Sequence, residues 1–326
     1  MPSCLVVQPI HPSGIRKLEA AGIEVRRASC ADMATVAQEI TGCAAVITRN
    51  AGLDTAAITA ASSLRVIANH GIGTNKIDVA HATGLSIPIV FTPFANAWSV
   101  AEHAVMLMLA VGKRLLPSDQ AVRGGNWDYR YQPGLQELRG KTLGVVGFGT
   151  IGRMTAEIAG RGFGMQVVVH SPAADPAAIT AAGARACASL HELLRTADVV
   201  SLHRPSRPDT RHLINAATLD VMKRSAILVN TARADLVDTA ALAEALRRGG
   251  IAGAGIDVFD QEPVPAGQAL LGLPNVVLTP HTAGSTDEAL QETADQCADQ
   301  IIEVLAGRRP PHLVNGAVWD ARRLPT

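Results

Sequence analysis

The stretch "GVVGFGTIGR" sets Gly147, Gly149 and Gly152 directly after an apolar run and at the mouth of a helical segment. In that setting the first glycine permits a tight turn, the second lets backbone approach a pyrophosphate, and the third allows close helix–strand packing. The amides of Thr150 and Ile151 then open the helix, where anions bind. The pattern therefore predicts a dinucleotide site. An acid normally ends the following strand and binds the adenosine ribose; here the strand "QVVVH" is followed by Ser171. Without the acid, nothing repels a 2′-phosphate, yet no Arg stands at Pro172, Ala173 or Ala174 to attract one. NAD(H) is the favoured cofactor, and NADP(H) remains admitted. Asp175 lies a few residues on, and Arg204 is the cation placed to reach this region through a loop. Further along, "ILVNTARADLVD", "GIDVFDQEP" and "VVLTPHTAGST" place Arg233, Asp257, Glu262 and His281 at the ends of predicted strands. Ligands bind at that edge in open α/β sheets.

The elements that must carry these residues follow from periodicity. Short runs rich in Val, Ile and Leu ("CLVV", "AAVIT", "LRVIA", "IPIVF", then "TLGVVG", "QVVVH", "DVVSLH", "AILVNT", "AGAGIDV", "VVLTP") alternate with alanine-rich segments of helical period. Continuous apolar strands separated by helices imply parallel sheets covered on both faces. The fold class is α/β, with two doubly wound parallel-sheet domains. A long helix over 99–116 is expected to connect the two series, and 123–141 reads as an irregular excursion. A last helix within 285–307, opened by a Ser285 to Glu288 capping box, is expected to return the chain to its first domain. The expected boundaries are 1–98 with 290–326 for a discontinuous first domain and 99–289 for the inserted Rossmann domain, with a cleft at their junction.

Lys plus Arg and Asp plus Glu number 29 each, so the formal net charge is zero. No basic run draws the chain to nucleic acid or an anionic membrane, and a small-molecule partner is expected. No apolar run approaches the roughly 20 residues that span a bilayer, and the first residues lack a secretory leader. The five cysteines are widely spaced, without metal-ligand spacing. They read as reduced, buried thiols in a cytoplasmic protein. No metal site is expected.

Taken together, "GxGxxG", "NTARxxLVD", "GxDVFxxEP" and "TPHTAG", in this order and spacing over nearly the whole chain, resemble the D-isomer-specific 2-hydroxyacid dehydrogenases. That family includes phosphoglycerate dehydrogenases and hydroxypyruvate/glyoxylate reductases. The resemblance implies a flavodoxin-like substrate domain, a homodimer, and a catalytic trio of Arg233, Glu262 and His281. His281 would be the acid for reduction of a 2-oxo acid and the base for oxidation of a D-2-hydroxy acid. Glu262 would orient it, and Arg233 would hold the substrate carboxylate. Val100, His203, Pro205, Thr231 and Asp257 are carried over as cofactor contacts, Asp257 near the nicotinamide carboxamide. A strand-end capping role is the other reading of Asp257. "ANHGIGTNKIDV" matches the family's glycine turn, so the amides of Gly71, Ile72 and Gly73 are substrate candidates at a helix N-terminus, with Arg49, Trp98 and Trp127 as further pocket residues. "SVAEH" is similar to the phosphoglycerate dehydrogenase branch, whereas the missing ribose acid points to the glyoxylate reductases. No regulatory domain is expected. The alternative is a non-catalytic dinucleotide-sensing regulator, similar to the co-repressors related to this family; a formate dehydrogenase is disfavoured because it carries Gln where Glu262 stands.

Overall fold

The computed structural model describes residues 1–323. It comprises two compact units, Met1–Asn96 together with the chain from Ser285 onward, and Ala97–Gly284. The sequence boundaries, 98/99 and 289/290, fall slightly downstream of these.

The first unit holds five parallel strands, β1 (Ser3–Val6), β2 (Glu24–Arg27), β3 (Ala45–Thr48), β4 (Val66–Asn69) and β5 (Ile89–Phe91). Their order is β2-β1-β3-β4-β5, the flavodoxin-like order whose direction reverses between β1 and β3. Alternation along each strand feeds two cores. Leu5, Val46, Ile67 and Ile89 face one layer, while Cys4, Val6, Ala45, Ile47, Val66, Ala68 and Val90 face the other. Both faces being apolar explains the unbroken hydrophobic runs. The C-terminal helix Asp287–Leu305 adds Ala294, Cys297, Ala298, Ile301 and Val304 to the second layer. It packs so closely on the helix Pro12–Ala20 that a Cβ at Gly14 would lie 2.7 Å from the carbonyl oxygen of Ala294.

The second unit holds β6 (Thr142–Val146), β7 (Gln166–His170), β8 (Arg185–Ala186), β9 (Val199–Leu202), β10 (Ile227–Asn230), β11 (Gly253–Ile256) and β12 (Val276–Leu278). The order β12-β11-β10-β9-β6-β7-β8 is the Rossmann order with one added strand. Its direction reverses between β6 and β9.

Four expectations are corrected. β2 and β8 were not foreseen: both are edge strands, so "EVRR" and "RA" need no continuous apolar pattern. The connector is two helices, Ala97–Gly112 and Leu115–Arg123, separated by Arg114 at φ +50°. Pro117 has no N–H and is tolerated only in a first turn, so a new helix must start just before it. The C-terminal helix is capped by Thr286, which accepts from the Ala289 amide at 3.2 Å, and not by Ser285. That register places Asp287 and Glu288 in the first turn, where their charge opposes the helix dipole. Finally, Cys30 is exposed while the other four thiols are buried. Within the irregular stretch 123–141 there is one 3-10 turn, Trp127–Tyr131.

Candidate active site

The glycine turn between β6 and the helix Thr150–Glu157 divides its labour as the spacing predicts. Gly147 has φ +98°, and a Cβ there would sit 2.5 Å from the carbonyl oxygen of His203. A Cβ on Gly152 would sit 2.2 Å from the carbonyl oxygen of Gly147. Around Gly149, the residue preceding the helix, no atom lies within 4 Å of the Cβ position. The turn is thus closed on the protein side and open where a pyrophosphate must approach, and the Thr150 and Ile151 amides stand at the helix start without intrahelical acceptors. These residues fit a dinucleotide. Further along the same sheet edge, the Thr231 hydroxyl is buried without a hydrogen-bond partner. A ligand oxygen or amide can satisfy it.

Ser171 directly follows β7 and is partly exposed. Asp175 is committed elsewhere, accepting from the Ala177 amide as the cap of the helix Pro176–Ala181. The Arg204 stem lies against the turn, its Cδ 3.1 Å from the Gly147 Cβ position, and its guanidinium has one long contact, 3.6 Å to Asp209. The partly buried His203 imidazole meets the Ser201 hydroxyl at 2.9 Å, and its backbone carbonyl lies against the turn. The Pro205 carbonyl accepts from Thr210 at 2.8 Å, and Val100 is buried on the connector helix.

Burial pushes the His203 imidazole down from 6.5 to about 4. In the first unit, burial and then the neighbouring Arg49 charge push His70 down to about 4 as well. The unfolded chain takes up protons at both residues first, so stability is full above about pH 6.5 and is lost as pH falls toward about 4. We expect the melting temperature to drop through that window and His203→Gln to make the drop shallower, the His203 contribution being about 3 kcal/mol. An unchanged slope would show that His203 takes up its proton equally in the folded and the unfolded chain.

The trio comes together at the carboxyl ends of β10, β11 and β12. Beyond β10, Asn230 ties the turn through Nδ2 to the Arg233 carbonyl at 2.8 Å and through Oδ1 from the Ala232 amide at 3.0 Å. Arg233 is partly buried, with Nη1 donating to the Ala232 carbonyl at 2.6 Å. Burial lowers its pKa, and the nearby Asp235 and Glu262 charges oppose that shift. Glu262 accepts from the Phe259 amide at 3.1 Å and presents both oxygens to His281 Nδ1, at 3.0 and 2.9 Å. With Nδ1 taken, Nε2 is the nitrogen free to exchange a proton. His281 itself has φ +55°, a left-handed conformation that costs a non-glycine residue about 1–2 kcal/mol. Such strain persists where the surroundings impose it, commonly at functional sites.

Asp257 takes the capping role. It has no exposed surface, and its oxygens accept from Thr279 Oγ1 (2.6 Å), the Thr282 amide (2.9 Å) and the Ala283 amide (3.0 Å). It is the hub of the His281 loop. Ser99 and His103 on the connector helix also reach that loop; the sequence reading missed His103 and Thr279, for which the only signal was their place beside the quoted motifs.

In the first unit, Arg49 directly follows β3 beside the point where strand direction reverses, and its Nη1 donates to the Pro9 carbonyl at 2.7 Å. Among the described residues no carboxylate pairs with it. His70, also missed, directly follows β4, with Nε2 buried and, among the described residues, unpartnered. Gly71 has φ +133° and open space at its Cβ position, but its amide is taken by the Asn69 carbonyl at 2.9 Å. The expected helix N-terminus is not there: the next helix begins at Val79, capped by Asp78. The Ile72 and Gly73 amides remain without a protein acceptor among the described residues. Trp98 donates to Glu102 at 2.7 Å, and Trp127 is exposed. A cavity of about 270 Å³ in the second unit is lined by Ala110, Arg114, Ile227 and Val276 at the opposite, amino-terminal edge of the sheet, and holds none of the trio.

Residues 105–283 match the model of the D-isomer specific 2-hydroxyacid dehydrogenase family, NAD binding domain. A glyoxylate reductase of Aeropyrum pernix is 40% identical over 278 residues, covering 83% of this chain and 82% of the relative. A D-3-phosphoglycerate dehydrogenase of Methanocaldococcus jannaschii is 37% identical over 316 residues, 97% of this chain and 60% of that one. The crystal structure of an NADPH-dependent glyoxylate/hydroxypyruvate reductase from Sinorhizobium meliloti, in complex with NADP and malonate, superposes with a TM-score of 0.85 at 30% identity, covering 99% of this chain and 98% of the other.

Proposed function

This chain belongs to the D-isomer specific 2-hydroxyacid dehydrogenases, NAD(P)-dependent oxidoreductases, and from that premise we propose that it interconverts a small 2-oxo acid and its D-2-hydroxy acid by the Arg233, Glu262 and His281 trio. The nicotinamide cofactor supplies or accepts the hydride when bound. The chain's own part is to hold the acid and move one proton. In reduction, charge develops on the carbonyl oxygen, and His281 donates a proton to it from Nε2 while Glu262 stabilises the imidazolium at Nδ1. In oxidation the same nitrogen takes the proton back. Arg233 provides a permanent charge and a planar fork for the substrate carboxylate. The observation that carries this reading is the two-oxygen grip of Glu262 on His281 Nδ1, next to an Arg that feels the Glu262 charge. Within the first unit, Arg49, which has no carboxylate partner among the described residues, and the Ile72 and Gly73 amides are proposed as groups able to hold a carboxylate.

For the cofactor, Ser171 favours NAD(H) by lacking an adjacent phosphate-binding Arg and admits NADP(H) by lacking the acid; Arg204 and Arg153 are cations beside the turn. The five free thiols suit a reducing compartment such as the cytoplasm. A homodimer through the connector helix is supported by a largely apolar hollow of about 430 Å³ lined by Val105, Met106, Leu109, Leu115 and Phe163. Exposed Leu116, Val122 and Tyr131 lie on the segment that follows. Sedimentation at twice the 34.0 kDa chain mass is expected, and a monomer would remove that reading. The relatives named above are enzymes by name and lend no support to the sensing regulator.

The deciding experiment follows the reduced nicotinamide absorbance with NADH and NADPH separately, against hydroxypyruvate, glyoxylate, phenylpyruvate and phosphohydroxypyruvate. Turnover with at least one is expected, faster with NADH. If both cofactors bind and no 2-oxo acid is reduced, the catalytic reading falls.

A further inference from the structure

Ser99 and His103 stand four residues apart on the connector helix, so their side chains leave the same face. Both meet the His281 loop. Ser99 Oγ donates to the Ala283 carbonyl at 2.6 Å, and His103 Nε2 lies 2.9 Å from Thr279 Oγ1. A threonine hydroxyl has a single proton, and that of Thr279 is directed at Asp257 Oδ1, 2.6 Å away. His103 must therefore be the donor in its own contact, which fixes the proton on Nε2.

The carboxylate so approached has no exposed surface and, among the described residues, no Lys or Arg partner. Its charge is met by the Thr279 hydroxyl, the Thr282 and Ala283 amides, and His103 Nε2 at 3.6 Å. A buried charge requires such compensation, because an unpartnered one is strongly disfavoured. The same residue uses its backbone carbonyl to accept the His281 amide at 2.9 Å. Donor, hydroxyl, carboxylate and strained backbone thus form one continuous chain from helix to imidazole.

We propose that His103 is a positioning residue for His281: through Thr279 it fixes the Asp257 carboxylate, and through Asp257 the loop that holds His281 in its left-handed conformation. This rests on the assignment of His281 as the proton donor, so the test includes a readout that needs no turnover. In the protein without substrate, hydrogen exchange at the His281 amide reports opening of the loop directly. His103→Leu speeds that exchange about fivefold, as expected for one lost hydrogen bond, and lowers kcat for 2-oxo acid reduction by a similar factor with a smaller change in KM. His103→Gln, whose side-chain amide can still donate to Thr279, restores most of both. Thr279→Val reproduces the loss, and the double variant His103→Leu/Thr279→Val is no worse than Thr279→Val alone, because both break one link.

A merely structural histidine would give a lower melting temperature with His281 exchange and kcat unchanged, and that result overturns the proposal. So does additivity in the double variant. If His103→Leu opens the loop but the wild-type protein reduces no 2-oxo acid, the positioning stands while the dehydrogenase assignment fails.

Discussion

His281→Asn lowers kcat for 2-oxo acid reduction by about 10²–10⁴-fold, the range that a positioned acid–base group contributes. Asparagine is the informative replacement because residue 281 sits at φ +55°, a region that Asn enters more readily than other side chains. The loop keeps its path and only the proton donor is lost. Dinucleotide affinity, measured by nicotinamide fluorescence, should change little, because the glycine turn after β6 is untouched. Glu262→Gln gives an intermediate loss: the amide keeps the shape but removes the charge that stabilises imidazolium at Nδ1. Near-normal kcat in His281→Asn would take the proton transfer away from this residue.

Arg233→Ala raises KM and lowers kcat together, with kcat/KM falling by about 10²–10³-fold, the scale of truncating one partner of a buried charge pair. The guanidinium is partly buried and its Nη1 is anchored on the Ala232 carbonyl. It is therefore preorganised, and little ordering is left for substrate binding to impose. Arg233→Lys should recover little, because an ammonium cannot reproduce the two parallel donors of the fork. Loss confined to KM would show that Arg233 binds the ground state only, and unchanged kinetics would place it outside the site.

What the sequence made legible was whatever depends on local chemistry. Gly147, Gly149 and Gly152 each answer a backbone requirement within a few residues, so their pattern survives without the fold being known. The strands were readable where both faces are buried, as in β9, β10 and β11, and unreadable in β2 and β8, where an edge relaxes the pattern. The Thr286 cap was missed by one residue because two adjacent hydroxyl residues both suit that position. Asp257, Thr279 and His103 belong to three separated segments, and their union is a tertiary fact. Nothing in "GIDVF" tells whether its acid faces a ligand or a loop. The Gly71 turn failed as a helix start because Asp78, a stronger cap, lies further on.

The chain leaves the first unit at Asn96 and re-enters it only at Ser285. During synthesis the five strands of that unit emerge early, but one face of their sheet lacks the helix Asp287–Leu305, which supplies Ala294, Cys297, Ile301 and Val304 to the core. The middle unit is contiguous in sequence and can close on itself first; doing so shortens the effective loop whose ends must meet and reduces the entropy lost in joining them. The first unit therefore completes its core only after the last helix has been made, and until then one apolar face of its sheet lacks its cover.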